Sequence, residues 1–333
     1  MKSIRASTAV GLALALTALA WPSAAAFAAS GWQPQDRVEF VVGAGAGGGN
    51  DNIARTIQSL LQQNNYVPVP ITVVNKPGGG GAIALAYLQQ NAGKGNFIGI
   101  SSNTMLTNHI AGKTKVGPAD LTPLAILINE YIAFNVQAGS PMRSAKDLVA
   151  KLKADPSSVV VGISSALGNI NHIAFAVAAK EMGVDPKKAK IVVFKSSGDS
   201  LTALMGGHVE LVIGPVSIAG KHIGAGKIRP LAVTAPTRRG GALAQVPTWK
   251  ELGVNAVVDN WRGMVGPKGM PADEIAYWDS VFARLFKLDA WQKRVEQNYW
   301  DNAALTSREA GKYLDEQYRE LKSALIELEL VKK

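Results

Sequence analysis

Seven short apolar runs constrain the fold of this 333-residue chain more than any other feature. They are rich in Val and Ile and lack the apolar–polar alternation of a strand that has one face in water. Such runs are typical of strands buried on both faces, as in parallel sheets flanked by helices. The runs are RVEFVV (37–42), VPITVV (69–74), FIGIS (97–101), SVVVGIS (158–164), KIVVF (190–194), VELVIG (209–214) and IRPLAVT (228–234). Helical patterns lie between them, so the sequence predicts a doubly wound α/β fold.

Two further segments predict that the chain passes between two sheets. LTPLAILINEYIAFNVQ (121–137) is too long and too rich in strand formers for one core strand, so we expect it to leave one sheet and enter another. VVDNWRGMVGPKGMP (257–271) is the expected return, before Pro271 opens a helix. Two crossings create a hinge and a cleft. The predicted lobes are residues 34–129 with 260–333, and residues 130–259.

The N-terminus has the order of charges and apolar residues that is typical of a secretory signal peptide. Lys2 and Arg5 precede an apolar run, and Ala26-Phe27-Ala28 supplies small residues for cleavage. A membrane anchor is the weaker alternative, because the run is shorter than the roughly 20 residues that span a bilayer. Residues 1–28 are therefore predicted to be a signal peptide, and the mature protein is expected to be exported.

Composition excludes several kinds of site. The chain has no cysteine, so thiol nucleophiles, zinc–thiolate sites and iron–sulfur clusters are excluded. Closely spaced metal-binding side chains are missing from the sequence as well. The formal charge of +10 comes from scattered Lys and Arg residues, without the basic stripe and interleaved aromatic residues of a nucleic-acid-binding protein. A small anion is the partner that this charge favours.

The first apolar run leads into a glycine-rich loop, GAGAGGGNDN, and then a helical pattern. Gly43, Gly45 and Gly48 have the spacing of a dinucleotide-binding motif. Binding of NAD also needs an acidic residue about 20 positions later, and residues 52–119 contain neither Asp nor Glu. Lys76 leaves an NADP-dependent oxidoreductase as an alternative. Because an exported protein would have to retain that cofactor outside the cytoplasm, the sequence favours a carboxylate.

Three more loops rich in glycine or small polar residues follow strands. They are NKPGGGGAIA (75–84), SSNTMLTNH (101–109) and SSALGNINH (164–172). Loops of this kind gather at the carboxyl ends of parallel strands, where ligands bind. The exposed N–H groups of a helix N-terminus hold an anion there without an arginine. Of the four histidines, His172 is expected to tie its loop to a helix, and motifs for hydrolases or kinases are absent from the sequence.

Several stretches together resemble the substrate-binding receptors of tripartite tricarboxylate transporters, the Bug family. They include VVGAGAGGGNDNIAR, SSALGNINHIAFA, GDSLTALMGGHVELVIGPV and NWRGMVGPKGMP, and the resemblance extends over essentially the whole mature chain. It implies a periplasmic binding protein of the Venus-flytrap type that binds a carboxylate and delivers it to a membrane permease. It also implies a monomer with no catalytic residue, no cofactor and no metal. A sensory role for the same cleft is an open alternative.

The resemblance implies ligand contacts from both lobes. Those in the first lobe are Ala44, Gly45, Ala46, Gly47, Gly48, Gly49, Asn50, Asp51, Ser102 and Asn103. Those in the second lobe are Ser164, Ser165, Asn169, Asn171, Ser196 and Ser197. The family commonly has an aromatic residue within the segment that is Gly43-Ala44-Gly45-Ala46 here, and Tyr-x-Gly-Gly where Phe194-Lys195-Ser196-Ser197 stands. These departures predict a roomier cleft and, in place of a small dicarboxylate, a bulkier, aromatic or more highly charged carboxylate.

Overall fold

The computed structural model describes residues 31–164, 166–327 and 329–331. The predicted signal peptide and the predicted ligand contact Ser165 lie outside the described residues. Within those residues, no helix combines the length and the hydrophobicity needed to cross a membrane.

Strands and helices alternate along most of the chain. The strands are β1 (Val38–Val42), β2 (Ile71–Asn75), β3 (Phe97–Ser102), β4 (Leu121–Asn129), β5 (Ile132–Gln137), β6 (Val160–Ser164), β7 (Lys190–Phe194), β8 (Leu211–Pro215), β9 (Ile228–Val233), β10 (Arg262–Pro267) and β11 (Asp301–Leu305). The helices are α1 (Gly49–Gln63), α2 (Ala82–Gln90), α3 (Asn103–Ile110), α4 (Ala145–Ala154), α5 (Ile170–Glu181), α6 (Ser197–Met205), α7 (Val216–Gly224), α8 (Ala272–Phe286), α9 (Asp289–Gln297) and α10 (Ser307–Glu327). Each of the seven apolar runs contains a strand, so that prediction is confirmed.

Two sheets organise the molecule. One has the strand order β11-β4-β10-β3-β1-β2, and the other has the order β7-β6-β8-β5-β9. The segment 121–137 divides into β4 in the first sheet and β5 in the second, as predicted. The chain returns to the first sheet with β10. The architecture is therefore two-lobed α/β, with helices packed on both sheets.

Both sheets are mixed, and their antiparallel pairs lie at the crossings. Strands β1, β2 and β3 are parallel, as are β6, β7 and β8. By contrast, β5 is antiparallel to β8 and β9, and β10 is antiparallel to β3 and β4. A chain that leaves one sheet at the carboxyl ends of its strands enters the other sheet at the same edge. Its first strand there must therefore run in the opposite direction.

Local sequence patterns explain the main helices. The residues Ile53, Ile57 and Leu61 form one face of α1 and are fully buried, as their helical spacing predicts. The main-chain N–H of Thr306 donates to the carboxylate of Glu309 at 2.9 Å, which completes half of the predicted capping box before α10. The predicted apolar face of α10 is buried at Ala310, Leu314, Leu321 and Leu325. Its fifth predicted member, Leu328, lies outside the described residues.

Aromatic side chains fill the cores beside the two sheets. In the first sheet, Phe40 packs against Trp278, with ring centroids 6.2 Å apart. In the second, Phe134 meets Trp249 edge to face at 4.9 Å. All four side chains are at most 1% exposed. Burial of such large side chains accounts for a stable fold without disulfides.

Candidate ligand-binding site

A cavity of about 550 Å³ lies where the carboxyl ends of strands from both sheets meet. Thirteen of the residues predicted as ligand contacts line it. They are Ala44, Gly45, Ala46, Gly47, Gly48, Gly49, Asn50, Ser102, Ser164, Asn169, Asn171, Ser196 and Ser197. The structure therefore brings thirteen of the sixteen predicted contacts together at one cavity, formed by loops that follow strands.

Five helices begin at this cavity. Residues of their first turns, or the residues that cap them, belong to its lining, and the helices are α1, α3, α5, α6 and α7. Each helix N-terminus carries about half a unit of positive charge and exposes N–H donors. Five such ends around one cavity make it a favourable place for an anion.

Side chains already accept a hydrogen bond from a main-chain N–H at three of these helix N-termini. The side-chain oxygen of Asn169 accepts from the N–H of His172 at 3.0 Å in α5. Ser196 accepts from the first turn of α6, and Glu130 accepts from the N–H of Ser217 in α7 at 3.1 Å. The N-cap residues of α1 and α3, which are Gly48 and Ser102, make no side-chain capping bond. The N-termini of α1 and α3 therefore present their amides to the cavity without a side-chain cap at the N-cap position.

Asp51 holds the glycine loop and does not line the cavity. Its carboxylate is 1% exposed and accepts from the N–H of Gly47, from Arg55 and from Asn75, each at 2.9 Å. Burial alone would raise the pKa of Asp51, but these hydrogen bonds together lower it below the ordinary value of 3.8. Gly47 has φ of 78°, a conformation that glycine adopts readily. Asp51 thus fixes the conformation of the glycine loop without lining the cavity.

Gly43 is required by packing between loops. A Cβ atom added to Gly43 would lie 2.9 Å from the Cα of Gly81, which is backbone of the loop between β2 and α2. The side-chain amide of Asn108 also donates to the carbonyl of Gly80 at 2.7 Å. The close approach of two loops therefore accounts for Gly43, the first glycine of the dinucleotide-like motif, whereas a Cβ atom at Gly45 would have no neighbour within 4 Å.

Asn103 also turns away from the lining. Its side chain is 1% exposed, and its amide donates to the carbonyl of Asp259 at 3.2 Å. That bond ties the start of α3 to the segment through which the chain returns to the first sheet. Asn103 is therefore placed to hold the crossing segment.

Polar side chains on the second-sheet side form a connected network. The hydroxyl of Ser164 lies 3.0 Å from that of Ser197 and accepts from the amide of Asn171 at 2.9 Å. The Nδ1 atom of His172 accepts from the N–H of Gly168 at 3.0 Å, and burial lowers the pKa of this imidazole. His172 ties its loop to α5, as predicted. The network holds the small polar side chains in fixed orientations at the cavity wall.

Two charged residues of the lining, Glu130 and Arg262, were missed by the sequence analysis. They are 3% and 8% exposed, and Arg262 Nη2 lies 3.8 Å from Glu130 Oε2. Arg262 Nη1 donates to the side-chain oxygen of Asn260 at 2.6 Å and to two main-chain carbonyls. A usable signal was present for Glu130, because it is the only charged residue in the apolar segment 121–137. Arg262 shares its segment with Asp259 and Lys268, so the sequence does not single it out.

Burial shifts the pKa values of Glu130 and Arg262 in the directions that favour their neutral forms. It raises the pKa of Glu130, although Arg262 and the hydrogen bonds from Ser217 oppose the change. It lowers the pKa of Arg262 from its ordinary value of 12.5, and the attraction of Glu130 opposes that shift. An arginine stays protonated near neutral pH. Arg262 thus contributes a fixed positive charge to the cavity floor, next to the buried carboxyl group of Glu130.

Comparison with known proteins identifies the family. Residues 53–330 match the family model described as "Tripartite tricarboxylate transporter family receptor". The chain belongs to this receptor family. Membership of a receptor family supports the prediction that the chain is not an enzyme, and it removes the oxidoreductase alternative.

Known relatives agree with this assignment. BugT of Bordetella pertussis is 25% identical over 277 residues, which cover 81% of this chain and 80% of BugT. A solved structure described as a periplasmic transporter has a TM-score of 0.80 and 25% identity, covering 88% of this chain and 97% of that one. An R. palustris protein solved with adipate has a TM-score of 0.81 and 23% identity, covering 89% and 98%. The receptor therefore shares its fold with periplasmic binding proteins.

A larger cavity of this receptor, about 800 Å³, lies beside α9 and the loop at residues 239–241. Its lining includes none of the five helix N-termini described above. Within the described residues, no group of three or more His, Cys, Asp or Glu side chains is placed to hold a metal ion. The smaller cavity is the candidate site because the anion-binding features converge there.

Proposed function

We propose that this receptor captures a carboxylate in the cavity of about 550 Å³ and presents it to the membrane permease of a tripartite transporter. The observation that carries the proposal is the convergence of helix N-termini, with the amides of α1 and α3 left uncapped by side chains. Such amides bind carboxylates directly. The thirteen predicted residues that line the cavity are the proposed contacts, and Asp51 and Asn103 support them from behind.

Capture requires the two lobes to close on the ligand. The proposed lobes are residues 34–129 with 260–333, and residues 130–259, with bending near 130 and 260. This division is supported by the position of the crossings, because β4 ends at Asn129 and β10 begins at Arg262. Hinge closure around a ligand is the usual motion of two-lobed binding proteins. The closed form is the shape that a permease would recognise.

The proposed ligand is an organic acid larger than the smallest dicarboxylates. Small residues such as Ala44 and Ala46 occupy the rim, and no aromatic side chain belongs to the described lining. The similar R. palustris protein, solved with adipate, makes a six-carbon diacid a reasonable first probe. The proposed location is the periplasm, reached through the signal peptide at residues 1–28, and the proposed form is a monomer.

Calorimetry and thermal unfolding of the chain without residues 1–28 test the proposal. The panel is succinate, glutarate, adipate, citrate and benzoate, with adipamide as a neutral control and NADP as a control for nucleotide binding. A bound acid at 100 times its Kd should raise the free energy of unfolding by about 2.7 kcal/mol. Stabilisation by NADP together with no response to any acid would overturn the proposal.

A further inference from the structure

Arg262 has a hydrogen-bond donor that the described part of the protein leaves unused. Its side chain lies at the start of β10, where Arg262 pairs with Ser102 at the end of β3. The Nη1 atom makes three hydrogen bonds, whereas Nη2 makes none within the described residues and only approaches Glu130 at 3.8 Å. The residue is 8% exposed, and it lines the cavity. Nη2 is therefore the terminal nitrogen of the guanidinium that remains available to donate to a ligand in the cavity.

The surroundings of Nη2 favour an anionic partner. A Cβ atom added to Gly49 would lie 3.4 Å from Nη2, so the guanidinium lies against the first turn of α1. The positive end of a helix next to a cation is unfavourable unless a negative group lies beside both. Glu130 supplies only part of the negative charge that is needed there, because its carboxylate also accepts hydrogen bonds from Ser217 and Asn260.

We propose that Arg262 Nη2 binds a carboxylate of the ligand together with the α1 amides, and so makes the receptor select an ionised acid over its neutral amide. Asn260 and Glu130 are positioning residues: Asn260 accepts from Nη1, and Glu130 lies 3.8 Å from Nη2 and accepts from the side-chain amide of Asn260. This inference rests on the proposed function, because it assigns the charge recognition of the same cavity. Arginine suits this role because its guanidinium stays protonated and a hydrogen bond from it to a carboxylate is charge-assisted.

Variants at Arg262 test the proposal by calorimetry with adipate and adipamide. Arg262→Gln should weaken adipate binding about 10- to 100-fold, because a hydrogen bond to a charged group is lost. Adipamide binding should change less than about threefold, since the amide never gains from the positive charge. Arg229→Gln is the matched control, because Arg229 also donates to main-chain carbonyls but lies outside the cavity lining. The affinity of the Arg229→Gln variant for adipate should equal that of the wild-type protein.

Removing Arg262 leaves Glu130 buried without its partner, so the single variant could lose stability. The double variant Glu130→Gln, Arg262→Gln removes both charges and serves as the second test, with the same expected loss of adipate binding. Unchanged adipate affinity in the folded variants overturns the proposal, as does an equal loss in Arg229→Gln. A crystal structure of the adipate complex with no ligand oxygen near Nη2 would also overturn it. If the wild-type protein binds none of the acids, the proposed function itself fails, and this inference fails with it.

Discussion

Asp51 shows how a single buried carboxylate shapes the candidate site without touching it. The substitution Asp51→Asn keeps the size of the side chain but removes the charge that Gly47 N–H, Arg55 and Asn75 all face. We expect the free energy of unfolding to fall by about 1–3 kcal/mol at pH 7, the range for hydrogen bonds to a charged group. Urea unfolding measures this loss. Asp315→Asn on the exposed face of α10 is the control and should change stability little.

The pH dependence of the Asp51 variant follows from the direction of its pKa shift. The pKa of Asp51 is lower in the folded protein than the ordinary value of 3.8. Its stabilisation is therefore fully present above pH 3.8 and is lost as the pH falls through the folded-state pKa. The stability difference between wild type and Asp51→Asn should be largest near neutral pH and shrink below about pH 3.8. A difference that stays constant down to pH 2 would contradict this account.

At the level of elements, helix α7 contacts the segment that precedes β11 of the first sheet, and the contact lies at Gly220. A Cβ atom at Gly220 would lie 2.6 Å from the ring of Tyr299, which precedes β11 and has φ of 58°. Gly220→Ala should therefore displace the ring and lower the free energy of unfolding by about 1–3 kcal/mol, the usual cost of overpacking. Thermal unfolding followed by circular dichroism measures the change.

Gly224 in the same helix provides the matched control. A Cβ atom there has no neighbour within 4 Å. Gly224→Ala should be neutral or stabilise α7 by up to about 1 kcal/mol, because alanine is the better helix former. Equal effects of the two substitutions would show that helix propensity, and not contact with Tyr299, determines the result.

For the whole molecule, an ion pair joins the two sheets beside the crossings. Arg239, which follows β9, pairs with Asp301 at the start of β11, and the hydroxyl of Tyr131 donates to the same carboxylate at 2.9 Å. Arg239 is only 15% exposed at its side chain. Arg239→Gln should lower the free energy of unfolding by about 1 kcal/mol, at the upper end for a partly exposed pair.

The ion pair of the neighbouring Arg238 is the control. It has the same chemistry, but both of its partners lie in the segment between β9 and β10. Arg238 pairs with Glu251, and both side chains are well exposed. Arg238→Gln should cost less than about 0.5 kcal/mol. Denaturant unfolding of both variants compares them, and a larger loss in Arg238→Gln would show that the contact between the sheets contributes little.

Local patterns explain why much of the fold was predictable. The apolar runs that became strands, and the buried face of α1, depend on the spacing of neighbouring residues. Strand β11 was not predicted, since its sequence DNAAL contains no β-branched residue and it pairs only with β4 in the described structure. Its existence depends on a partner that is distant in the chain. Propensity alone carries no information about such a partner.

Most of the strands, the loops that meet at one cavity and the family of the receptor follow from the amino-acid sequence. Which polar residues face that cavity follows from the way the chain packs in three dimensions. Asp51 turned inward because Gly47, Arg55 and Asn75 surround it. Arg262 came to lie beside Glu130 because β10 pairs with β4, with Arg262 opposite Ile128. Local spacing sets which residues form an element, whereas the direction and register of strand pairing set which side chains meet across the chain.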